Sequence, residues 1–241
     1  DIKKQVELLE QKDNKLKLQD EFLKQIDALE KMPSALKGQV TGPITFGTFV
    51  KDENDRAIFY NEQLKDAAVK KLALNARWQA KEFYKRGATP VIFIDEPALA
   101  GFGTSGYITI TKEDVKLCIE EIAQEIHAEN GLAGVHVCAN TEWDMLLDSN
   151  IDIISFDAYS FFDKFILYPE AIKKFMLHGG ILACGIVPTS SADEVAKQTT
   201  QGLVQKFKDQ VDLLVGIGLD KKKVLANSFI TPSCGTGSLD L

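Results

Sequence analysis

The chain has 241 residues, 45% hydrophobic and 26% charged, the balance of an ordinary soluble globular protein with enough length for a full core. A net charge of -7 and a pI near 5.1 speak against a nucleic-acid surface, and no run of lysines is interleaved with aromatics. No apolar run approaches the roughly 18–20 residues that cross a bilayer. The start, Asp1-Ile2-Lys3-Lys4, lacks a signal-peptide core, and four cysteines at 118, 138, 184 and 234 do not resemble a disulfide framework. The expected setting is a reducing cytoplasm, with no nucleic-acid and no membrane partner.

Residues 1–32 carry apolar side chains at helical spacing, with a break near Lys12-Asp13-Asn14, and Pro33 and Gly38 end the run. Gln39 to Phe46 reads as a strand entering a Gly-Pro turn, and residues 62–86 return to helix. A second strand, Pro90 to Asp95, stops at the acidic pair Asp95-Glu96. Thr111-Lys112-Glu113-Asp114 has the form of a capping box opening a helix to about His127. Further strands are expected at Gly134–Cys138, Asp152–Asp157, Gly180–Val187 and Val224–Ile230. Helices are expected near 141–149 and 168–178 and as one long run from Ala192 to Gly216, with Lys221 to Lys223 in a solvated loop.

Gly101-Phe102-Gly103-Thr104-Ser105-Gly106 matches the dinucleotide pattern G-x-G-x-x-G, but its glycines do not open a helix directly, so a loop over the site is the better reading. Short, continuously apolar strands alternating with helices imply a parallel sheet covered by helices. Chemistry-bearing residues end at least four of these strands, which favours a (β/α)8 TIM barrel over an open doubly wound sheet. Six strands are legible where a closed barrel has eight, so an N-terminal segment with the first two strands is expected to be absent from this sequence. The whole of 1–241 is then one barrel domain, with 1–35 a helical N-terminal segment and 36–241 carrying strands three to eight.

His136-Val137-Cys138, with Cys234 in Thr231-Pro232-Ser233-Cys234-Gly235, is the strongest chemical signal. Residues two apart in a strand share a face, so His136 and Cys138 can grip one ion together. Two sulfurs and a nitrogen suit zinc better than magnesium or calcium, and three protein ligands leave a position for a substrate atom. Asp95 ends an apolar strand in a carboxylate, which is costly without a partner. Glu96 reads equally as substrate contact or as a structural hydrogen bond. Cys118 and Cys184 read as core, His127 and His178 sit late in helices without assigned chemistry, and Asn140 and Trp143 either line the mouth or start a helix.

Taken in order, Val40-Thr41-Gly42-Pro43, Ile94-Asp95-Glu96-Pro97, His136-Val137-Cys138, Ile154-Ser155-Phe156-Asp157 and Pro232-Ser233-Cys234-Gly235 resemble strands three, four, five, six and eight of the catalytic barrel of cobalamin-independent methionine synthases, especially its single-barrel core members. That barrel is shared with uroporphyrinogen decarboxylases and methylcobamide-dependent thiol methyltransferases. The resemblance spans about residues 36–241 and implies zinc held by His136, Cys138 and Cys234. Asp157 stands where the family has a glutamate ligand one methylene longer, and Asp95, with Glu96 beside it, where the family holds the amino group of homocysteine. It implies methyl transfer to a small thiol, homocysteine foremost, from a methylated corrinoid protein or methyltetrahydrofolate. The alternatives are transfer to another thiol such as coenzyme M, or a zinc- or corrinoid-binding protein without turnover.

Overall fold

Apolar runs separated by capped helices become the strands of one sheet in the computed structural model. It describes residues 12–104, 107 and 109–236, with the backbone alone over 12–19. Among the described residues there are six strands: β1 (Ala35–Thr41), β2 (Thr89–Asp95), β3 (Leu132–Val137), β4 (Ile153–Phe156), β5 (Ile181–Val187) and β6 (Ser228–Pro232). They pair in chain order, and every neighbouring pair is parallel. A parallel pair needs a crossover, and each connection here contains helix. The result is a curled half-barrel of the (β/α)8 type, as the sequence predicts, with one concave and one helix-covered face.

Helix α1 (Lys12–Asp27) precedes β1, and α2 (Pro43–Phe49) and α3 (Glu62–Lys85) lead to β2. On α3, Val69, Leu72, Ala73, Ala76, Ala80 and Phe83 recur at helical spacing and are buried, so one stripe seats the helix on the sheet. Its alanines keep the contact close. Asn61 caps α3 by accepting from the N–H groups of Gln63 and Leu64. Helix α4 (Lys112–His127) opens with the expected Thr111–Asp114 capping box and buries Val115, Cys118, Ile119, Ile122 and Ile126. After β3 comes α5 (Asp144–Leu147), and after β4 come α6 (Ala158–Phe165) and α7 (Pro169–Leu177). Trp143, Phe156, Phe162 and Phe165 pack there as an aromatic cluster, with Phe156 and Phe165 stacked at 4.3 Å between centroids. The helix-facing core is continuous, while the concave face has its own small core of Phe93, Ile153 and Ala183.

Several boundaries differ from the expectation, each for a local reason. The first strand ends at Thr41, not Phe46, because Pro43 opens α2 and Gly42 is that helix's N-cap. The long helix expected from Ala192 divides into α8 (Ala192–Ala196) and α9 (Thr200–Gly216), since Ser191 and Thr199 each supply a separate cap. Lys221 to Lys223 lie in a helix, α10 (Lys221–Ala226), capped by Asp220, and the last strand therefore begins at Ser228 rather than Val224. Helix α6 is an addition nucleated by the Asp157 cap. The helix expected at the N-terminus is seen over Lys12–Asp27, while residues 1–11 lie outside the described residues.

Strand β1 pairs with β2 through alternate residues, so the backbone of Gln39 points away from the sheet. The Gln79 side chain of α3 meets it there: its Oε1 accepts from Gln39 N–H at 3.1 Å and its Nε2 donates to Gln39 C=O at 3.0 Å. No described helix is long and apolar enough to cross a membrane.

Candidate metal centre

The register of the parallel sheet sets the site. Thr41, Asp95, His136, Ser155 and Ala183 are successive partners across β1 to β5, a single lateral row that lies at or one residue from the C-terminal ends of β1 to β4. Neighbouring strands lie about 4.8 Å apart, so side chains of one row that share a face are neighbours in space. Cys138 follows His136 by two positions, just beyond β3, and Cys234 follows the end of β6.

Among the described residues, one group offers metal-ligating atoms that all lie within 4.8 Å of one another: His136, Cys138 and Cys234. His136 Nε2 is 3.2 Å from Cys138 Sγ, and the two sulfurs are 3.4 Å apart. The other imidazole nitrogen, Nδ1, meets Ser155 Oγ at 3.0 Å, so the buried serine directs Nε2 toward the sulfurs. His136 and Cys138 are half-buried and Cys234 is exposed.

Cys234 is held from behind. Ser233 N–H donates to Val187 C=O at 2.8 Å, and the buried hydroxyls of Ser233 and Thr189 lie 3.1 Å apart. The β5–β6 register shifts between Gly185 and Val187. A Cβ at Gly185 would stand 2.6 Å from Ser233 Cα and 2.7 Å from Phe156 O, so only glycine admits this approach.

The electrostatics follow from burial. Burial, then the neighbouring Cys234 sulfur, pushes the Cys138 thiol up to about 12. Burial likewise lowers His136 from its ordinary value, opposed by the charge of Asp95, and raises Asp95, opposed by His136 and Lys37. Two sulfurs in contact resist ionising together unless a cation is shared between them, which is the environment a divalent metal supplies.

Other predicted residues fall apart from this cluster. Asp95 lines the same cavity of about 1000 Å³ as His136, Cys138 and Cys234. Glu96, expected beside it at the substrate, is fully buried and faces the other way. Its Oε1 accepts from Ile44 N–H and its Oε2 from Thr45 N–H, each at 2.8 Å, and Oε2 also accepts from the Thr45 hydroxyl at 2.6 Å. Its carboxylate thus seats the N-terminus of α2; a Cβ at Gly42 would lie 2.1 Å from Glu96 Cδ. Asp157 stands outside the three-residue group: its Oδ1 accepts from Ser160 N–H at 3.0 Å as the cap of α6.

Trp143 is fully buried, which places it in the core, and it donates from Nε1 to Oδ1 of the exposed Asn140 at 3.1 Å. Cys184 and Cys118 belong to the helix-facing core, where burial pushes them up to about 12 and about 11. His127 meets Asp152 Oδ2 at 2.8 Å, and His178 Nδ1 meets Lys174 O at 2.7 Å, and neither histidine belongs to the three-residue group. In the glycine-rich stretch, Pro97–Gly101 is a 3-10 turn and Gly103 takes φ +81, while Ser105 and Gly106 lie outside the described residues. Sequence pattern alone does not mark Ser155, Thr189, Ser233 and Gly185 for these roles. A lone serine inside the apolar run Ile153-Ile154-Ser155-Phe156 was the available signal for the first of them.

No protein-family model matches the chain, and no curated protein matches it. Among solved structures it is similar to 7,8-dihydropteroate synthase from Vibrio fischeri ES114, with 15% identity and a TM-score of 0.45 over 85% of this chain. The chain spans 63% of that protein. The fold assignment rests on strand order and pairing, independently of that likeness.

Proposed function

We propose that this chain is a zinc-dependent methyltransferase of the methionine synthase type, which passes a methyl group to the sulfur of a small thiol, homocysteine foremost. The observation that carries the reading is the convergence of His136, Cys138 and Cys234 within 4.8 Å at the C-terminal ends of β3 and β6. An imidazole and two thiols form a donor set suited to zinc, and three protein ligands leave a position for substrate. When bound, zinc supplies the positive charge that keeps a coordinating thiol deprotonated at neutral pH.

The chain's own residues divide the remaining work. Ser155 holds the His136 ring in one orientation through its 3.0 Å contact. Asp95, on the strand beside His136, faces the cavity and would pair with the substrate's ammonium group. Phe93 and Phe229 give the cavity apolar walls beside the metal-ligating group. The methyl group passes in line to that sulfur from a nitrogen or cobalt donor, methyltetrahydrofolate or a methylated corrinoid protein.

Metal analysis of the purified chain and of Cys138→Ala and Cys234→Ala tests the centre. The parent should hold one zinc and each variant should lose it; full retention in both variants would overturn the assignment. Thiol-dependent demethylation of methylcobalamin or methyltetrahydrofolate tests the reaction, and zinc uptake with no methyl loss would reduce the protein to a binding module.

A further inference from the structure

We infer that Cys138 and Cys234 are a redox pair that an oxidant of the peroxide class closes into a disulfide when no metal is bound. The two sulfurs are 3.4 Å apart although the residues are 96 positions apart in the chain. A disulfide bond is about 2.05 Å long, so closure asks for a movement of little more than 1 Å. Cys234 can supply that movement, because it lies in a bend beyond β6 with its side chain exposed, whereas Cys138 is half-buried at the end of a central strand. The contrast in exposure also sets the order of events. Cys118 and Cys184 are buried in the helix-facing core and act as internal controls.

The step balances. The Cys234 sulfur, as thiolate, attacks one oxygen of hydrogen peroxide and becomes a sulfenic acid; the hydroxide released leaves as water with the thiol proton. Cys138 then gives up its proton and attacks the Cys234 sulfur as the thiolate, the S–S bond forms, and the sulfenic oxygen departs with that proton as a second water. Two thiols lose two electrons and one peroxide becomes two waters. The product ties the end of β3 to the end of β6 across the two strands between them and removes both sulfurs from the metal set. Disulfide formation rests on the sulfur geometry alone, while its competition with metal rests on the zinc reading above.

The full chain, stripped of metal by a chelator, is treated with equimolar hydrogen peroxide, unfolded, alkylated and mapped by mass spectrometry. The expected result is loss of two alkylatable thiols and a peptide joining Cys138 to Cys234, reversed by a phosphine, with Cys118 and Cys184 still alkylated. Cys118→Ser should form the same cross-link, and Cys234→Ser should not. Full alkylation of both residues after peroxide, or oxidation of Cys234 beyond sulfenic acid with Cys138 free, would overturn the inference. Preincubation with zinc should suppress the cross-link. A cross-link that forms equally with zinc present leaves the redox pair standing and removes the zinc reading. Stoichiometric zinc binding with no cross-link in the stripped chain does the reverse.

Discussion

Ser155 is one hydroxyl on a central strand, yet it decides which nitrogen His136 presents. With Nδ1 engaged at 3.0 Å, Nε2 is left facing Cys138. Partners of this kind typically contribute about 10- to 100-fold in metal affinity. Ser155→Ala should therefore weaken zinc binding by about that factor in chelator competition, while Ser155→Thr retains most of it; equal affinity in all three proteins would show that the ring needs no such anchor. At this scale the sequence was readable where the residue type itself carries the chemistry, as in His136, Cys138 and Cys234. Ser155 was not, because a single serine has neither period nor ligand spacing. Asp95 and Glu96 looked alike as adjacent acids, yet consecutive strand residues point to opposite faces. Asp95 shares its face with Phe93 and reaches the cavity, and Glu96 turns beneath α2.

Among the elements, α2 depends on a buried carboxylate. Burial pushes Glu96 from 4.5 up to about 7, against the three donors that pull it down. A carboxyl raised on folding is held better as the acid, so this group's contribution is full below about 4.5 and is lost as pH rises through about 7. Thermal unfolding followed from pH 5 to 8 should show that decline. Glu96→Gln should remove this part of the slope and lower stability throughout by about 1–3 kcal/mol, since its amide NH₂ faces backbone donors. An unchanged slope would mean that Glu96 does not titrate there. The β5–β6 junction makes a second demand. Gly185→Ala should push Ser233 aside and carry Cys234 with it, so zinc affinity falls even in protein that keeps its far-ultraviolet circular dichroism; unchanged affinity would show that the junction can give way. Element type was legible where a cap or stripe announced it, as at Thr111–Asp114 and along α3. It failed at Thr199, because periodicity over many residues hides a break of three, and at Asp220, where three lysines read as a solvated loop although the aspartate before them caps a helix.

For the molecule as a whole, the alternation of apolar runs and helices made the parallel sheet readable, and strand order followed from the rule that consecutive strands neighbour one another. Sequence could not show that β6 is an edge strand among the described residues, with Phe229 and Ile230 about half exposed, because apolar runs read as buried whatever their neighbours. An ion bridging the end of β3 to the end of β6 would bind the folded form alone. Zinc at a hundredfold its dissociation constant should add about 2.7 kcal/mol, which for a domain of this size raises the melting temperature by roughly 5–10 °C. Cys234→Ala should show no such rise, and an equal rise in that variant would place the ion elsewhere.

The amide of Gln79, seated on the backbone of Gln39, has its own consequence for β1. A foreign strand zipping along that margin would find its donor and acceptor already answered at the middle residue, and would have to evict a helix side chain to continue. A strand that completed the barrel beside β1 would displace the same amide and release Gln79 from the backbone it now clasps.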